Sequence, residues 1–198
     1  MSQLISIISP LVSRSFPAKN IDEKLSSVEW WSHARTSSDA HQLHFDLDEE
    51  ALIKFQTQKY SKNRLKPDNI SLNDIHPIVS CVLYIQSGSG APTLITDQTL
   101  EEGSYASEAW LCRPENNRLL MFDGSVLHGV LPLPLNRLGS LPISSSDQVE
   151  RITLMLGFWG SSVTVTRKKT SSDLHPNMQM PKVFPEQAIS TKKTLIRS

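Results

Sequence analysis

The tripeptide His44-Phe45-Asp46 sets an imidazole and a carboxylate two residues apart, and His128 supplies a second imidazole on a later apolar segment. Side chains two apart on a β-strand point to the same side, so His44 and Asp46 can reach one ion while Phe45 packs the other way. Two imidazole nitrogens and one carboxylate oxygen on one face of a metal leave its other positions open. That ligand set suits a redox-active ferrous ion that must take up further ligands. Arg151 opens the apolar run RITLMLGFW. Its planar guanidinium stays charged and offers paired donors, which suits a carboxylate. Thr153 faces the same side as Arg151 on an extended strand and adds a hydroxyl.

Taken singly, each of these residues has a plainer explanation. The chain holds six histidines (His33, His41, His44, His76, His128 and His175), and a lone histidine is ordinarily a surface or satisfied core residue. A lone arginine is ordinarily a surface ion pair. The ordered set raises the case: a His-x-Asp ending one strand, a histidine on a strand near the end of the domain, and an Arg-x-Thr beginning the last strand. The remaining polar residues read otherwise. Strand alternation sends His41 to the face opposite His44. His33 alternates with Trp31 and Arg35, so it either lines the cavity or packs. His76 precedes Pro77 in a loop and serves a turn, and Asp48 caps the helix that follows it.

The elements that must position these groups are mostly short strands. Residues 27–35 and 41–47 read as the first two. A helix is expected over about 48–61, with acids at its start and bases at its end to suit the helix dipole. Further strands are expected at 78–86, 93–96, 109–113, 118–122, 125–131 and 151–159, separated by Gly, Pro, Asn and Asp turn chemistry. A Pro-, Ser- and Gly-rich loop at 132–148 is expected to be mobile and to lie over a bound substrate. Residues 166–198 read as a polar extended arm. The expected organisation is an N-terminal segment at 1–26, one domain at 27–165, and the C-terminal arm. Close-set strands indicate a mainly β sandwich or barrel, and specifically a jelly roll, the double-stranded β-helix of the cupin type, with one or two flanking helices.

The totals bound the function. With 198 residues the chain is long enough for one domain with a real core. Lysine plus arginine and aspartate plus glutamate are 20 each, giving a formal charge of zero, so nothing pulls the protein toward nucleic acid or an anionic membrane. Cys81 and Cys112 lack metal-site spacing and read as thiols in a reducing compartment. Residues 1–21 contain no acid and carry an apolar stripe of Leu4, Ile5, Ile8, Leu11 and Val12. That faintly suggests organelle targeting, but Pro10 is expected to interrupt the helix. The expectation is a segment packed on the domain of an intracellular, cytoplasmic protein without a membrane span.

Four stretches, HFDLDEE, HPIVSCVLYI with GAPTLITDQ, NRLLMFDGSVLHGV and RITLMLGFW, resemble the Fe(II)- and 2-oxoglutarate-dependent dioxygenase superfamily, closest to its prolyl 4-hydroxylase-like branch. The resemblance extends over most of residues 27–160. It implies that His44, Asp46 and His128 are catalytic metal ligands and that Arg151 binds the far carboxylate of 2-oxoglutarate. Thr153, on the face of Arg151, can donate its hydroxyl to that carboxylate, and Tyr84, on the same face as Ser80 and Val82, reads either as a second donor to 2-oxoglutarate or as a core tyrosine with its hydroxyl satisfied. It further implies Fe(II) as cofactor, 2-oxoglutarate and dioxygen as cosubstrates, and ascorbate as an optional reductant. The reaction would yield succinate and carbon dioxide, and an aspartate at position 46 favours hydroxylation over halogenation. Arg151 follows His128 at a longer interval than the family pattern, so Arg137, in the 132–148 loop, is a rival for the carboxylate. The substrate class implied is a protein side chain or a small metabolite, and the oligomeric state is left open. Two alternatives stand beside this reading: a cupin-type metalloenzyme that does not use 2-oxoglutarate, and a catalytically inactive jelly-roll binding module.

Overall fold

The computed structural model describes residues 1–35, 41–60, 70–87, 91–100, 105–131 and 151–160. The 132–148 loop with Arg137, the arm at 166–198 and His175 lie outside the described residues. Eight strands are described: β1 (Leu25–Arg35), β2 (His41–His44), β3 (Val79–Gln86), β4 (Thr93–Thr99), β5 (Ala109–Cys112), β6 (Arg118–Asp123), β7 (Val126–Val130) and β8 (Arg151–Gly160). They form two antiparallel four-stranded sheets, ordered β1-β8-β3-β6 and β2-β7-β4-β5. Strand 1 therefore pairs with 8, 2 with 7, 3 with 6 and 4 with 5. The first half of the chain winds against the second while crossing between sheets. This is a mainly β jelly roll with few helices.

β3 and β8 are the inner strands of the first sheet, covered on both faces, which is why VSCVLYI and LMLGFW are nearly continuous apolar runs. On one face, Val79, Cys81, Leu83, Leu154, Leu156 and Phe158 pack with Leu4, Ile8 and Val12 of helix α1 (Ser2–Ser15) and with Ile21 of the short α2 (Ile21–Lys24). On the other, Val82, Tyr84, Ile95 and Phe122 form a second core between the sheets, with Met155 packed against it.

Helix α1 runs through Pro10 rather than breaking there. A proline inside a helix costs about 3 kcal/mol. Burying three aliphatic side chains at four-residue spacing returns roughly 1.5–3 kcal/mol each, and Pro10 itself is exposed, so water can satisfy the carbonyl it leaves unpaired. Packing outweighs propensity. The segment is thus a helical cover on the sheet, and among the described residues no helix is long and apolar enough to cross a membrane.

Helix α3 (Glu49–Tyr60) lies where its charge pattern predicts, and Asp48 caps it: the Ala51 amide donates to Asp48 Oδ1 at 3.0 Å. β2 departs from expectation. It ends at His44 rather than at residue 47, and its pairing with β7 steps from His41↔Val130 to His44↔His128. Three residues on β2 therefore advance against two on β7, which is a β-bulge. Gly129 permits it, because a Cβ there would lie 2.9 Å from the His41 carbonyl oxygen and 3.1 Å from Leu43 Cα.

Candidate metal centre

His44, the last residue of β2, sits directly across from His128 in β7. Their ring centroids are 4.4 Å apart. Asp46 follows in the irregular stretch after β2, so strand alternation is not what aims its side chain. Two contacts aim it instead. Ser80 on β3 donates its hydroxyl to Asp46 Oδ2 at 2.8 Å, and His76 donates Nδ1–H to the Asp46 backbone carbonyl at 3.0 Å. His76 is buried and holds the main chain of Asp46, a larger part than the turn role its position before Pro77 suggests.

The Asp46 carboxylate reaches both rings: Oδ1 lies 3.6 Å from His44 Nε2 and Oδ2 lies 3.7 Å from His128 Nε2. These separations are too long for good hydrogen bonds. The three donor atoms all lie within 4.8 Å of one another, close enough to share one ion. His44 Nδ1–H donates to the Gln42 carbonyl at 2.9 Å, and His128 Nδ1–H donates to the Val126 carbonyl at 3.0 Å. A carbonyl can only accept, so in the neutral rings both protons sit on Nδ1 and both Nε2 lone pairs face Asp46. His128 Nε2 is buried and has no hydrogen-bond partner among the described residues. An orphaned nitrogen of this kind costs free energy unless something binds it. The donor set and the orphaned atom fit a divalent iron ion.

Charge in the site follows the same logic. Burial alone would raise Asp46, but the His44 and His128 rings and the Ser80 hydroxyl outweigh it and hold the carboxyl below its usual range. Burial lowers His128 and favours its neutral, ligating form. The Asp46 carboxylate raises His44, so a metal must compete with a proton there. Burial, together with the neighbouring His44, Arg35 and His33, pushes His41 down to about 4.

His44 and His128, but not Asp46, line a cleft between the two sheets, ≈ 460 Å³ with the open space at its mouth included. Arg151 and Thr153 line it from β8, and both are buried. Arg151 Nη1 donates to the Ala91 carbonyl at 2.7 Å, which orients its guanidinium. Tyr84 is not among the lining residues. Thr93 stands between it and the cleft, and the two hydroxyls share a hydrogen bond of 2.6 Å. His33 does line the cleft, and so does His41, contrary to the expectation from alternation. The bulge in β2 brings His41 to the same side as His44, with the rings edge to face at 4.4 Å. Ser80 is the functional neighbour least visible beforehand; its signal is a small polar residue on the inner face of an otherwise apolar strand.

The sequence matches no known family model and no curated protein. Among solved structures the chain is similar to a prolyl-4-hydroxylase from Pseudomonas putida, with a TM-score of 0.41 and 18% identity. The match covers 75% of this chain and 60% of that one, so the chain spans less than two thirds of that protein's length. A likeness of that size carries no functional weight. The residues of the cleft do.

Proposed function

We propose that this protein is an Fe(II)- and 2-oxoglutarate-dependent oxygenase that hydroxylates a protein side chain or small metabolite. One observation carries the reading. The two histidines of a largely buried two-histidine, one-carboxylate cluster, of which His128 Nε2 is unpartnered among the described residues, line a cleft that also holds a buried Arg–x–Thr pair. A metalloenzyme without 2-oxoglutarate would need the first feature and not the second.

His44, Asp46 and His128 would hold the iron. When bound, it would supply the redox chemistry that couples decarboxylation of 2-oxoglutarate to succinate and carbon dioxide with hydroxylation of a C–H bond. The chain's own residues do the rest. Asp46 is held ionised and offsets part of the ion's charge. The two Nδ1 hydrogen bonds keep the imidazoles in one tautomer and orientation. Arg151 binds the far carboxylate of the cosubstrate through charged, paired donors, and Thr153 adds a hydroxyl from the same face. Tyr84 orients the Thr93 hydroxyl from behind. Trp31, Val82 and Met155 contribute apolar lining that limits water.

The test is calorimetric titration of 2-oxoglutarate into Mn(II)-loaded protein without oxygen. Arg151→Gln should weaken binding by about 2–4 kcal/mol, the scale for losing a charged partner in a dry pocket. Arg137→Gln should bind as wild type. The reverse ranking moves the carboxylate to Arg137, and no binding to wild type rejects the oxygenase reading.

A further inference from the structure

Among the described residues, two buried side-chain polar atoms have no hydrogen-bond partner. His128 Nε2 is one, and the metal centre accounts for it. Trp159 Nε1 is the other. An indole N–H can only donate, and a buried donor left without an acceptor costs free energy. Trp159 is 3% exposed, so bulk water does not supply that acceptor.

Strand geometry locates the nitrogen. Arg151, Thr153 and Met155 of β8 line the cleft, and alternation carries the same face on to Gly157 and Trp159. A Cβ at Gly157 would lie 2.9 Å from Trp159 Nε1 and 3.6 Å from Pro77 Cγ. Glycine therefore leaves the room that the indole edge and the proline ring fill, and the N–H stands where a side chain at 157 would begin. Directly across from Gly157 on β3 is Ser80. Facing side chains in an antiparallel pair start about 4.5–5.5 Å apart, a gap that one water bridges. Ser80 also has the complementary chemistry. It is buried, and its single proton is committed to Asp46 Oδ2. Its oxygen keeps lone pairs that can accept, and a hydroxyl that accepts becomes a stronger donor.

We propose that Trp159 is a positioning residue of the metal centre: its indole N–H reaches the Ser80 oxygen through one buried water and so holds the Ser80 hydroxyl on Asp46. The water accepts from Nε1 and donates to Ser80 Oγ, as buried waters do for polar groups that the chain itself leaves unpaired. The chain of hydrogen bonds then runs from β8 through β3 to the carboxylate, on the side of Asp46 away from the cleft. Its effect on metal affinity rests on the metal-centre reading; the contact between Trp159 and Ser80 rests on the pairing of the two strands.

The test uses full-length protein and two readouts. Calorimetry gives the Mn(II) affinity of wild type, Trp159→Phe, Ser80→Ala and the double variant. Trp159→Phe removes the N–H and should weaken binding by roughly threefold to tenfold, less than the tenfold or more typical of a direct partner of a ligating carboxylate. In the Ser80→Ala background the same change should cost less than about twofold, because its route to Asp46 is already gone. A loss of equal size in both backgrounds overturns the proposal, since packing alone would then explain it. Wild-type affinity in folded Trp159→Phe overturns it as well. The second readout needs neither metal nor a change at Trp159, so it stands even where Trp159→Phe fails to fold. In NMR spectra of metal-free protein with isotope-labelled tryptophan, Ser80→Ala should move the Trp159 indole proton upfield, the direction of a lost hydrogen bond. An indole proton that does not move upfield overturns the contact. If wild type binds no Mn(II), the metal-centre reading falls, and the NMR comparison alone decides whether Trp159 holds Ser80.

Discussion

His44 and His128 face each other across the β2–β7 pair, and each ring is tied through Nδ1 to the carbonyl two residues before it. The two hydrogen bonds are equivalent although one histidine ends β2 and the other lies inside β7. Both leave Nε2 directed at Asp46. The site is organised by backbone before any ion arrives.

Ser80 should matter to the metal without touching it. Its hydroxyl donates to Asp46 Oδ2, and partners of ligating carboxylates typically tune metal affinity by tenfold or more. Ser80→Ala should weaken Mn(II) binding about tenfold while circular dichroism stays unchanged. Calorimetry on the two proteins checks this, and equal affinities would leave Asp46 positioned by the His76 contact alone.

Gly129 should be intolerant of a methyl group. Its Cβ would meet the β2 backbone at 2.9–3.1 Å, and backbone cannot yield as a flexible side chain can. Gly129→Ala should cost about 1–3 kcal/mol of stability and weaken metal binding with it, because His44 sits on the displaced strand. Denaturant unfolding and Mn(II) titration measure the two losses together.

These two residues mark what the sequence does and does not disclose. Inner strands are legible because burial on both faces leaves apolar runs, as in β3 and β8, and Asp48 is legible as a cap because helix chemistry is local. The triad is legible because residue type limits its chemistry. The bulge is not, because it depends on how two distant strands register, and it brings His41 into the cleft against the rule of alternation. Pro10 misleads for a related reason: the packing that carries α1 through it comes from strands far along the chain. Asp46 reaches its place by contacts with Ser80 and His76, which spacing within His44-Phe45-Asp46 cannot reveal.

Acid should remove one tie between the N-terminal cover and the strand it covers, at a small cost in stability. Lys19 forms a salt bridge with Asp123. Burial would raise the Asp123 carboxyl, but Lys19 and the Ser125 amide and hydroxyl together hold it below its ordinary value of 3.8. The folded state therefore binds its proton less readily than the unfolded chain. Its contribution is present above pH 3.8 and is lost as pH falls through the lower folded value. Both side chains are 35% exposed, so solvent screening limits the pair to about 0.5–1 kcal/mol. Asp123→Asn should lose that amount at neutral pH and converge with wild type in strong acid. Unfolding curves of metal-free protein across that range would show it, and a gap that persists at low pH would assign the effect to packing.

The most direct test of the metal centre is Mn(II) titration of wild type and His128→Ala by calorimetry, with circular dichroism on both. The geometry of His44, Asp46 and His128 predicts one ion per chain for wild type. It predicts none for the variant, whose fold should remain intact. Full occupancy in folded His128→Ala would contradict the assignment.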